Sequence, residues 1–281
     1  MNEYKLSERK MKQYICYLRE KERSEATIQK YIRDITALQV FLQDGIFTKA
    51  RLLAWKEKLT ASYAPATVNG MLMSVNGFLD FCGLRECRIK GLKIQRNVFC
   101  RKERELTKAE YLRLCHVAKQ RGNERLFLIL QTIGSTGIRV SELSFITAEA
   151  VRKEQAQVRL KGKIRTVLLP KQLCRLLKQY MQKRHIESGS VFVTRSGKPV
   201  DRSNIWSDMK KLCAAAGVEP EKVFPHNLRH LFARTYYSLQ KDIVRLADVL
   251  GHSSVETTRI YTIECGDVHR RQLQKLGLLL C

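Results

Sequence analysis

The chain has 281 residues, of which 44% are apolar, and its 52 lysines and arginines against 27 aspartates and glutamates give a formal net charge of +25. This length suits two domains rather than one small one, and the charge indicates a polyanionic partner. A basic membrane-surface protein would share the charge, but no apolar run approaches 18 residues and no signal-like segment precedes the first charges, so we expect a soluble cytoplasmic protein.

Four helices are predicted in the first hundred residues, and no strands. Serines at positions 7 and 24 can cap two of them, and Ile28, Ile35 and Leu38 recur at helical spacing in the second. The third spans Phe47 to Lys58, and the fourth starts at Ala64 or Pro65 and stops at Gly83. Gly70 and Gly77 weaken the fourth helix unless a close backbone approach to a neighbour or to DNA explains them. Residues 1–84 are therefore predicted to form an all-α domain.

A basic segment follows at residues 85–104, which we interpret as an interdomain linker. A solvated charge run is the usual explanation of such a segment, but contact with the phosphates of a passing DNA duplex is the interpretation we favour. The candidate DNA-binding residues are Arg85, Arg88, Lys90, Lys93, Arg96, Arg101 and Lys102.

The second domain is predicted to span residues 105–281. It opens with a helix start at Thr107 and an apolar helix that ends near Ser135. Two β-like runs, QAQVRL and IRTVLLP, then flank KGK at 161–163 and predict a hairpin, after which helices resume at Lys171. The fold class is mainly α with a small antiparallel β-sheet.

The nine cysteines are odd in number and include no Cys-x-x-Cys pair. Neither a zinc site nor a disulfide framework is indicated. We expect small buried hydrophobic side chains in a reducing compartment, as for Cys16 in its apolar helical pattern, and no metal site.

Two arginines fit the chemistry of attack on a phosphodiester. Negative charge grows on the non-bridging oxygens during the attack, and guanidinium groups are suitable fixed donors for it. Arg139 and Arg229 are the candidates, and Glu142, one turn from Arg139, would orient that arginine or cap local backbone amides. An arginine considered alone in so basic a chain would be a surface charge.

Tyr261 is the candidate nucleophile. A phenol has a reference pKa of about 10, so attack at neutral pH needs nearby positive charge or a proton acceptor. His226 and His252 would donate hydrogen bonds to the phosphate or manage the tyrosine proton. A lysine on the hairpin would protonate the leaving 5′-oxygen. Lys161 is the candidate, and Lys163 is the alternative. The remaining histidines are expected to be structural, with His230 packing on a helix or supporting the site.

The order of four motifs resembles the tyrosine recombinase (phage integrase) family. The chain has Thr136-Gly137-Ile138-Arg139 with Glu142-Leu143, then His226-Asn227-Leu228-Arg229-His230, then Leu250-Gly251-His252, then Tyr261. Any one of these boxes is a weak signal, but together they are specific. In the family the catalytic lysine lies in a hairpin written GKGxKxRxxP, and the matching stretch here is LKGKIRTVLLP, with a shortened turn.

The resemblance implies a two-domain DNA clamp of the compact Xer-like type, without an additional arm-binding domain. Residues 1–84 would be the helical, SAM-like core-binding domain and residues 105–281 the catalytic domain. Four protomers would assemble on two sites in duplex DNA and exchange strands through a covalent 3′-phosphotyrosine and a Holliday junction, without metal or nucleotide cofactor and with accessory recombination proteins as further partners. The apolar tail after Tyr261 would dock on a neighbouring protomer or pack on its own domain.

Three other functions share some of these features. A type IB topoisomerase would use a similar Arg, Lys, His and Tyr set, but the size and the boxes favour a recombinase. A non-catalytic DNA-binding regulator would not need the complete set of boxes. An RNA- or ribosome-associated protein would explain the positive charge but would leave the four boxes to coincidence. The boxes are shared by enzymes that integrate a mobile element, resolve chromosome dimers or invert a segment.

Overall fold

The computed structural model describes residues 4–5, 7–43, 46–94, 104–160, 163–194, 196–261 and 274–275, and at positions 4, 5, 160 and 163 it describes the backbone alone. The chain divides into two units, Met1–Arg96 and Asn97–Cys281. This division falls inside the segment 85–104 that was predicted to be the linker.

The first unit is built from four helices, as predicted. They are α1 (Glu8–Glu20), α2 (Glu25–Leu42), α3 (Lys49–Ser62) and α4 (Pro65–Phe81). The side chains of Ser7, Ser24 and Thr48 each accept a hydrogen bond from a backbone N–H of the first turn, which satisfies a donor that has no partner inside the helix. Their apolar faces meet in a core in which Ile35, Leu38 and Phe78 have no exposed surface.

A close approach explains Gly77 in the fourth helix. A Cβ at this position would lie 3.0 Å from the hydroxyl of Tyr14, which is itself 1% exposed. The glycine therefore lets α1 and α4 pack closely, at the cost of weaker intrinsic helix propensity.

Two sequence predictions for this unit are wrong in detail. A two-residue strand β1 (Tyr4–Lys5) pairs antiparallel with β2 (Ile46–Phe47), although only helices were predicted. So short a pairing has no periodic pattern for a sequence to display. Cys16 is exposed rather than buried, whereas Cys115, Cys174 and Cys213 of the second unit are buried as expected.

The first part of the predicted linker belongs to the core of the first unit. Ile89 is 3% exposed, and the side chain of Asn76 bonds both its carbonyl, at 2.8 Å from Nδ2, and its N–H, at 2.9 Å from Oδ1. The side chain of Asn69 likewise bonds both the carbonyl and the N–H of Leu92. The apolar residues between the charges of this segment therefore pack on α4, which the charge pattern alone did not predict.

The second unit is helical with one hairpin, which confirms the predicted class. Its elements are α5 (Lys108–Gln120), α6 (Glu124–Thr136), α7 (Ala148–Arg152), β3 (Gln155–Leu160), β4 (Lys163–Leu168), α8 (Lys171–Lys183), α9 (Arg202–Lys210), α10 (Cys213–Ala216), α11 (Pro225–Gln240), α12 (Ile243–Leu250) and α13 (Val255–Thr258). The strands β3 and β4 pair antiparallel, with Gln155 opposite Leu168 and Leu160 opposite Lys163.

The apolar helix α6 lies at the centre of this unit. Seven of its side chains are buried, and it packs against α5, α8 and α11. Because this helix is central and tightly packed, it fixes the position of the TGIR segment at its C-terminus. None of the helices in the described ranges is long and apolar enough to cross a membrane.

Candidate active site

Arg139 lies just beyond the end of α6, and Glu142 holds it in place. Gly137 ends the helix in the left-handed conformation, with φ of +64°, and a Cβ there would lie 2.3 Å from the ring of Phe232. Glu142, 2% exposed, accepts from the Arg139 backbone N–H at 3.0 Å and from its Nη1 at 2.8 Å. Both roles expected for Glu142, orienting Arg139 and capping the backbone, are therefore present.

Arg165 on β4 joins this pair, although it was not among the predicted site residues. Its Nη2 donates to Glu142 Oε2 at 2.5 Å and its Nη1 to the Val249 carbonyl at 2.9 Å. The signal was present in the hairpin pattern of the family, which contains an arginine that matches this position. Burial alone would raise the pKa of Glu142, but the hydrogen bonds from Arg165 and from the Arg139 N–H lower it, so Glu142 is an anion at neutral pH.

The helix α11 carries His226 and Arg229 on one face, as their spacing predicted. Arg229 is 1% exposed and spans the site: Nη1 donates to the Gly137 carbonyl, and Nη2 donates to the Leu250 carbonyl at 2.8 Å and to His252 Nε2 at 3.0 Å. Burial, followed by repulsion from Arg139, lowers the pKa of Arg229 to about 10, which still leaves it charged at neutral pH.

His252 is held as a neutral ring between two partners. Because an arginine can only donate, Nε2 accepts from Arg229, and the ring proton is placed on Nδ1, which donates to Thr258 Oγ1 at 2.9 Å. Burial and the nearby Arg229 and Arg139 lower the pKa of His252 to about 4. The same causes, burial first, lower the pKa of His226.

Tyr261 packs among the histidines and is 3% exposed. Its ring centroid lies 5.9 Å from that of His252, nearly parallel to it, and 4.7 Å from that of His230, edge to face. A hydrogen-bonding interaction with Tyr261 raises the pKa of Arg229 against the effect of burial. The tyrosine therefore contacts the guanidinium that would hold the phosphate.

His230 supports the tyrosine, which was one of the roles expected for it. Its ring lies between His226, at 4.6 Å between centroids, and Tyr261. Burial, and then repulsion from His226 and Arg229, lowers its pKa to about 4, so it packs as a neutral ring.

A cavity of about 720 Å³ opens beside these residues. Arg139, His226 and Arg229 line one side, and Arg202, Trp206 and Lys210 of α9 line another. The lining contains four cationic side chains, Arg139, Arg202, Lys210 and Arg229, against the carboxylate of Glu221. An anionic group of the size of a nucleotide phosphate would therefore be attracted into it.

The other predicted residues lie in the first unit, at the start of β4 or outside the described part of the chain. Lys161 lies outside the described residues, and Lys163 begins β4 with its side chain undescribed. Arg85, Arg88, Lys90 and Lys93 lie in the first unit, where Arg88 Nη1 is 3.2 Å from Asp80 Oδ2. Arg96, Arg101 and Lys102 lie outside the described residues. No group of three metal-ligating side chains occurs within the described ranges.

A family model with the description "Phage integrase family" matches residues 104–264, which contain every residue of this site. The chain belongs to the phage integrase family. Tyrosine recombinase XerA of Pyrococcus furiosus is 30% identical over 99% of this chain and 98% of its own length. Tyrosine recombinase XerH of Campylobacter jejuni is 36% identical over 48% of this chain and 40% of its own. The family membership predicted from the four boxes is therefore confirmed, and this chain is a tyrosine recombinase that breaks and rejoins DNA strands.

Solved structures show the same fold. A crystal structure of XerA recombinase is 24% identical and covers 97% of this chain and 99% of its own, with a TM-score of 0.54. A lambda integrase dimer bound to a COC′ core site is 17% identical and covers 92% of this chain and 96% of its own, with a TM-score of 0.74. The mainly helical integrase fold is thus common to proteins whose sequences have diverged widely.

Proposed function

We propose that the chain carries out site-specific recombination of duplex DNA with Tyr261 as the nucleophile and with Arg139, Arg229, His226, His252 and Lys161 as the other catalytic residues. The observation that carries the proposal is the convergence of Tyr261, His252 and Arg229 in direct contact, beside Arg139 and His226 at one cavity. These residues come from three separate segments of the sequence.

The charge balance of the site supports a phosphodiester as the substrate. Arg139, Arg165 and Arg229 repel one another within a partly buried region, and Glu142 is the carboxylate that pairs with two of them. Three cations and one anion leave an excess of two positive charges. A bound phosphate would offset part of this excess, and the additional charge of the pentavalent transition state would offset more, so the site favours the transition state over the substrate.

The proposed reaction has two balanced steps. The Tyr261 oxygen attacks the phosphorus and loses its proton, which the neutral His226 can accept, while the bond to the 5′-oxygen breaks and Lys161 protonates that oxygen. A 3′-phosphotyrosyl bond then stores the energy of the broken link. The 5′-hydroxyl of a second strand attacks it and gives its proton to the deprotonated Lys161, while the Tyr261 oxygen leaves and takes back the proton held by His226, so the diester is restored and no ATP is consumed.

The larger assembly is inferred from the fold. A lambda integrase tetramer bound to a Holliday junction shares this fold at 16% sequence identity, with a TM-score of 0.69. By analogy, four protomers would act on two DNA sites in the cytoplasm, with the first unit as the core-binding domain and the basic residues at 85–102 as phosphate contacts. Accessory recombination proteins would set the direction of the reaction.

Covalent trapping on nicked suicide duplexes tests the proposal. The duplexes are drawn from DNA that flanks the gene, and a nick beside the scissile phosphate releases the short 5′-hydroxyl strand so that resealing cannot occur. Wild type should give a protein–DNA adduct on a denaturing gel. Tyr261→Phe should give none while it still binds, because the phenyl ring preserves the packing against Leu246 and Leu250.

Tyr237→Phe is the matched control, since Tyr237 lies on α11 and packs on the same small cluster. It should form adduct at the wild-type rate. Adduct formation that persists in Tyr261→Phe would place the nucleophile elsewhere. Relaxation of supercoiled DNA without exchange between two sites would indicate a topoisomerase.

A further inference from the structure

We propose that Arg165 is a positioning residue for DNA cleavage, which locks the phosphate-binding Arg139 and the turn that carries His252 into one arrangement. The inference rests on the proposed function of the site. Arg165 contacts Glu142, which holds Arg139, and its side chain lies against the backbone of the turn that carries His252.

The contacts of Arg165 join three parts of the fold. The residue belongs to β4 of the hairpin, its Nη2 reaches Glu142 after α6, and its Nη1 reaches the carbonyl of Val249 near the end of α12. Glu142 in turn holds both the backbone and the guanidinium of Arg139. The planar guanidinium of Arg165 thus bonds two groups at once and fixes their relative orientation. The single ammonium group of a lysine would not fix it.

The turn before His252 is shaped around this arginine. Gly251 ends α12 with φ of +64°, and a Cβ on it would lie 2.1 Å from Arg165 Cδ and 2.8 Å from its Nε. The arginine side chain therefore passes directly over the backbone of the residue that precedes His252. Any side chain at position 251 would collide with it.

The burial of Arg165 favours a role in function over one in stability. Its side chain is 14% exposed, and within the described part of the chain its buried Nε has no hydrogen-bond partner. A buried donor without a partner costs free energy. It also lies in a region that already holds Arg139 and Arg229, so repulsion adds to that cost. Holding the site in a cleavage-competent geometry is the benefit that offsets both.

The loss of this fork should disturb Arg139 directly. Without Arg165, the Glu142 carboxylate keeps one cationic partner and is free to rotate towards it, which moves the Arg139 guanidinium away from the phosphate. Displacements of about 1 Å in a preorganised site cost up to about 100-fold in rate. The binding of DNA, which depends on many backbone contacts, should change little.

Single-turnover cleavage of a saturating suicide duplex by Arg165→Ala, Arg165→Lys and Arg159→Ala measures the effect. Arg165→Ala should cleave about 10- to 100-fold more slowly than wild type with a similar Kd. Arg165→Lys should keep the charge and the melting temperature but recover only part of the rate, because one ammonium group cannot span both anchors. Arg159→Ala removes an exposed arginine from the neighbouring strand and should cleave like wild type.

A methylphosphonate at the scissile position separates positioning from general structural damage. It removes the charge on one non-bridging oxygen, so the need for Arg139 falls. If Arg165 acts through Arg139, the defects of Arg165→Ala and Arg139→Ala should shrink together, by about tenfold. A defect of Arg165→Ala that is equal on both DNAs would overturn the inference, as would cleavage within twofold of wild type.

A crystal structure of Arg165→Ala without DNA provides a test that does not depend on activity. It should show the Arg139 guanidinium and the 251–252 turn displaced. An unchanged 2.8 Å contact between Arg139 Nη1 and Glu142 Oε1 and an unchanged turn would overturn the inference. A wild-type protein that forms no adduct would instead contradict the proposed function, and the crystal structure would still decide the role of Arg165.

Discussion

The two units each bury a carboxylate, and they use it differently. In the first unit Asp34 on α2, 2% exposed, accepts from Lys30 Nζ at 2.6 Å and from Ser74 Oγ of α4 at 2.7 Å. Lys30 Nζ also donates to the Gly70 carbonyl at 2.9 Å. Every member of this cluster has a partner. Lys30 balances Asp34, and the exposed Arg33, 3.5 Å from Asp34 Oδ1, is a second cation that stays in contact with water, so the effect of the cluster is to fasten α2 to α4.

In the second unit Glu142 is surrounded by more positive charge than it can balance. Arg139 and Arg165 bind it, and Arg229 lies near enough for mutual repulsion with both arginines. A closed polar cluster stabilises a fold, whereas one with excess charge is stable only because the surrounding fold holds it, and it gains free energy when an anion binds. This comparison predicts opposite consequences for mutations in the two clusters.

The largest effect is expected for Arg139→Ala. Cleavage of bound DNA should slow by about 100- to 1,000-fold, because one guanidinium no longer meets the growing phosphate charge. The free energy of unfolding should hardly fall and can rise, since the variant relieves repulsion with Arg229. Single-turnover trapping and chemical denaturation measure the two quantities, with Arg159→Ala as the charge-matched control. Near-normal cleavage would contradict the role given to Arg139.

Asp34→Asn should have the reverse profile. Loss of the buried charge should lower the free energy of unfolding of the first unit by about 1–3 kcal/mol and leave the chemical step unchanged on saturating DNA. Each unit contains one of the two tryptophans, Trp55 in the first and Trp206 in the second. Fluorescence of Trp55 in a Trp206→Phe background therefore reports the first unit alone.

If Asp34→Asn changed the rate of cleavage on saturating DNA, the two clusters would not differ in function as proposed. An unchanged Trp55 transition would show that the Asp34 cluster does not fasten α2 to α4.

A smaller effect is expected when Arg85, Arg88 and Lys90 are replaced together by Gln. Each phosphate contact contributes roughly 0.9 to the slope of log Kd against log salt, so the slope should fall by about 2 to 3. The ion pair of Arg88 with Asp80 makes Arg88 the weakest contributor, and the single Arg88→Gln variant should move the slope least. Titrations of duplex DNA at four salt concentrations measure this. An unchanged slope would mean that these residues do not contact phosphates.

The last expected effect is the dependence of stability on pH. The pKa values of His230 and His252 are lowered to about 4 in the folded chain, against about 6.5 in the unfolded chain. The unfolded chain therefore binds more protons as pH falls below 6.5, and folding stability is lost between pH 6.5 and 4.

The Tm of the second unit should accordingly drop by roughly 5–10 °C from pH 7 to pH 5, since each ~1 kcal/mol corresponds to roughly 2–4 °C. The carboxylates still titrate little in this range. The Tm of His230→Gln, followed by Trp206 fluorescence, should fall less between pH 7 and pH 5 than the Tm of wild type. An equal fall would contradict the buried neutral state of His230.

The local structure of this protein was determined by its sequence. Ser7 and Ser24 cap helices where predicted, and the capping box of Thr107 with Glu110 starts α5 at the predicted place. The hairpin followed from two β-like runs around a glycine. These features depend on residues within a few positions of one another, so a single sequence displays them. The order of the four boxes likewise identified the family.

Only the tertiary structure decided how the site is held together. Arg165 contacts Glu142, 23 positions away, and Val249, 84 positions away, while Arg229 donates to the carbonyl of Gly137 across 92 positions. The packing of Ile89 and Leu92 against the asparagines of α4 was equally hidden. Spacing along a chain reports which side chains share a helix face, but it carries no information on which distant backbone carbonyl a buried guanidinium will meet, because that depends on how whole elements pack.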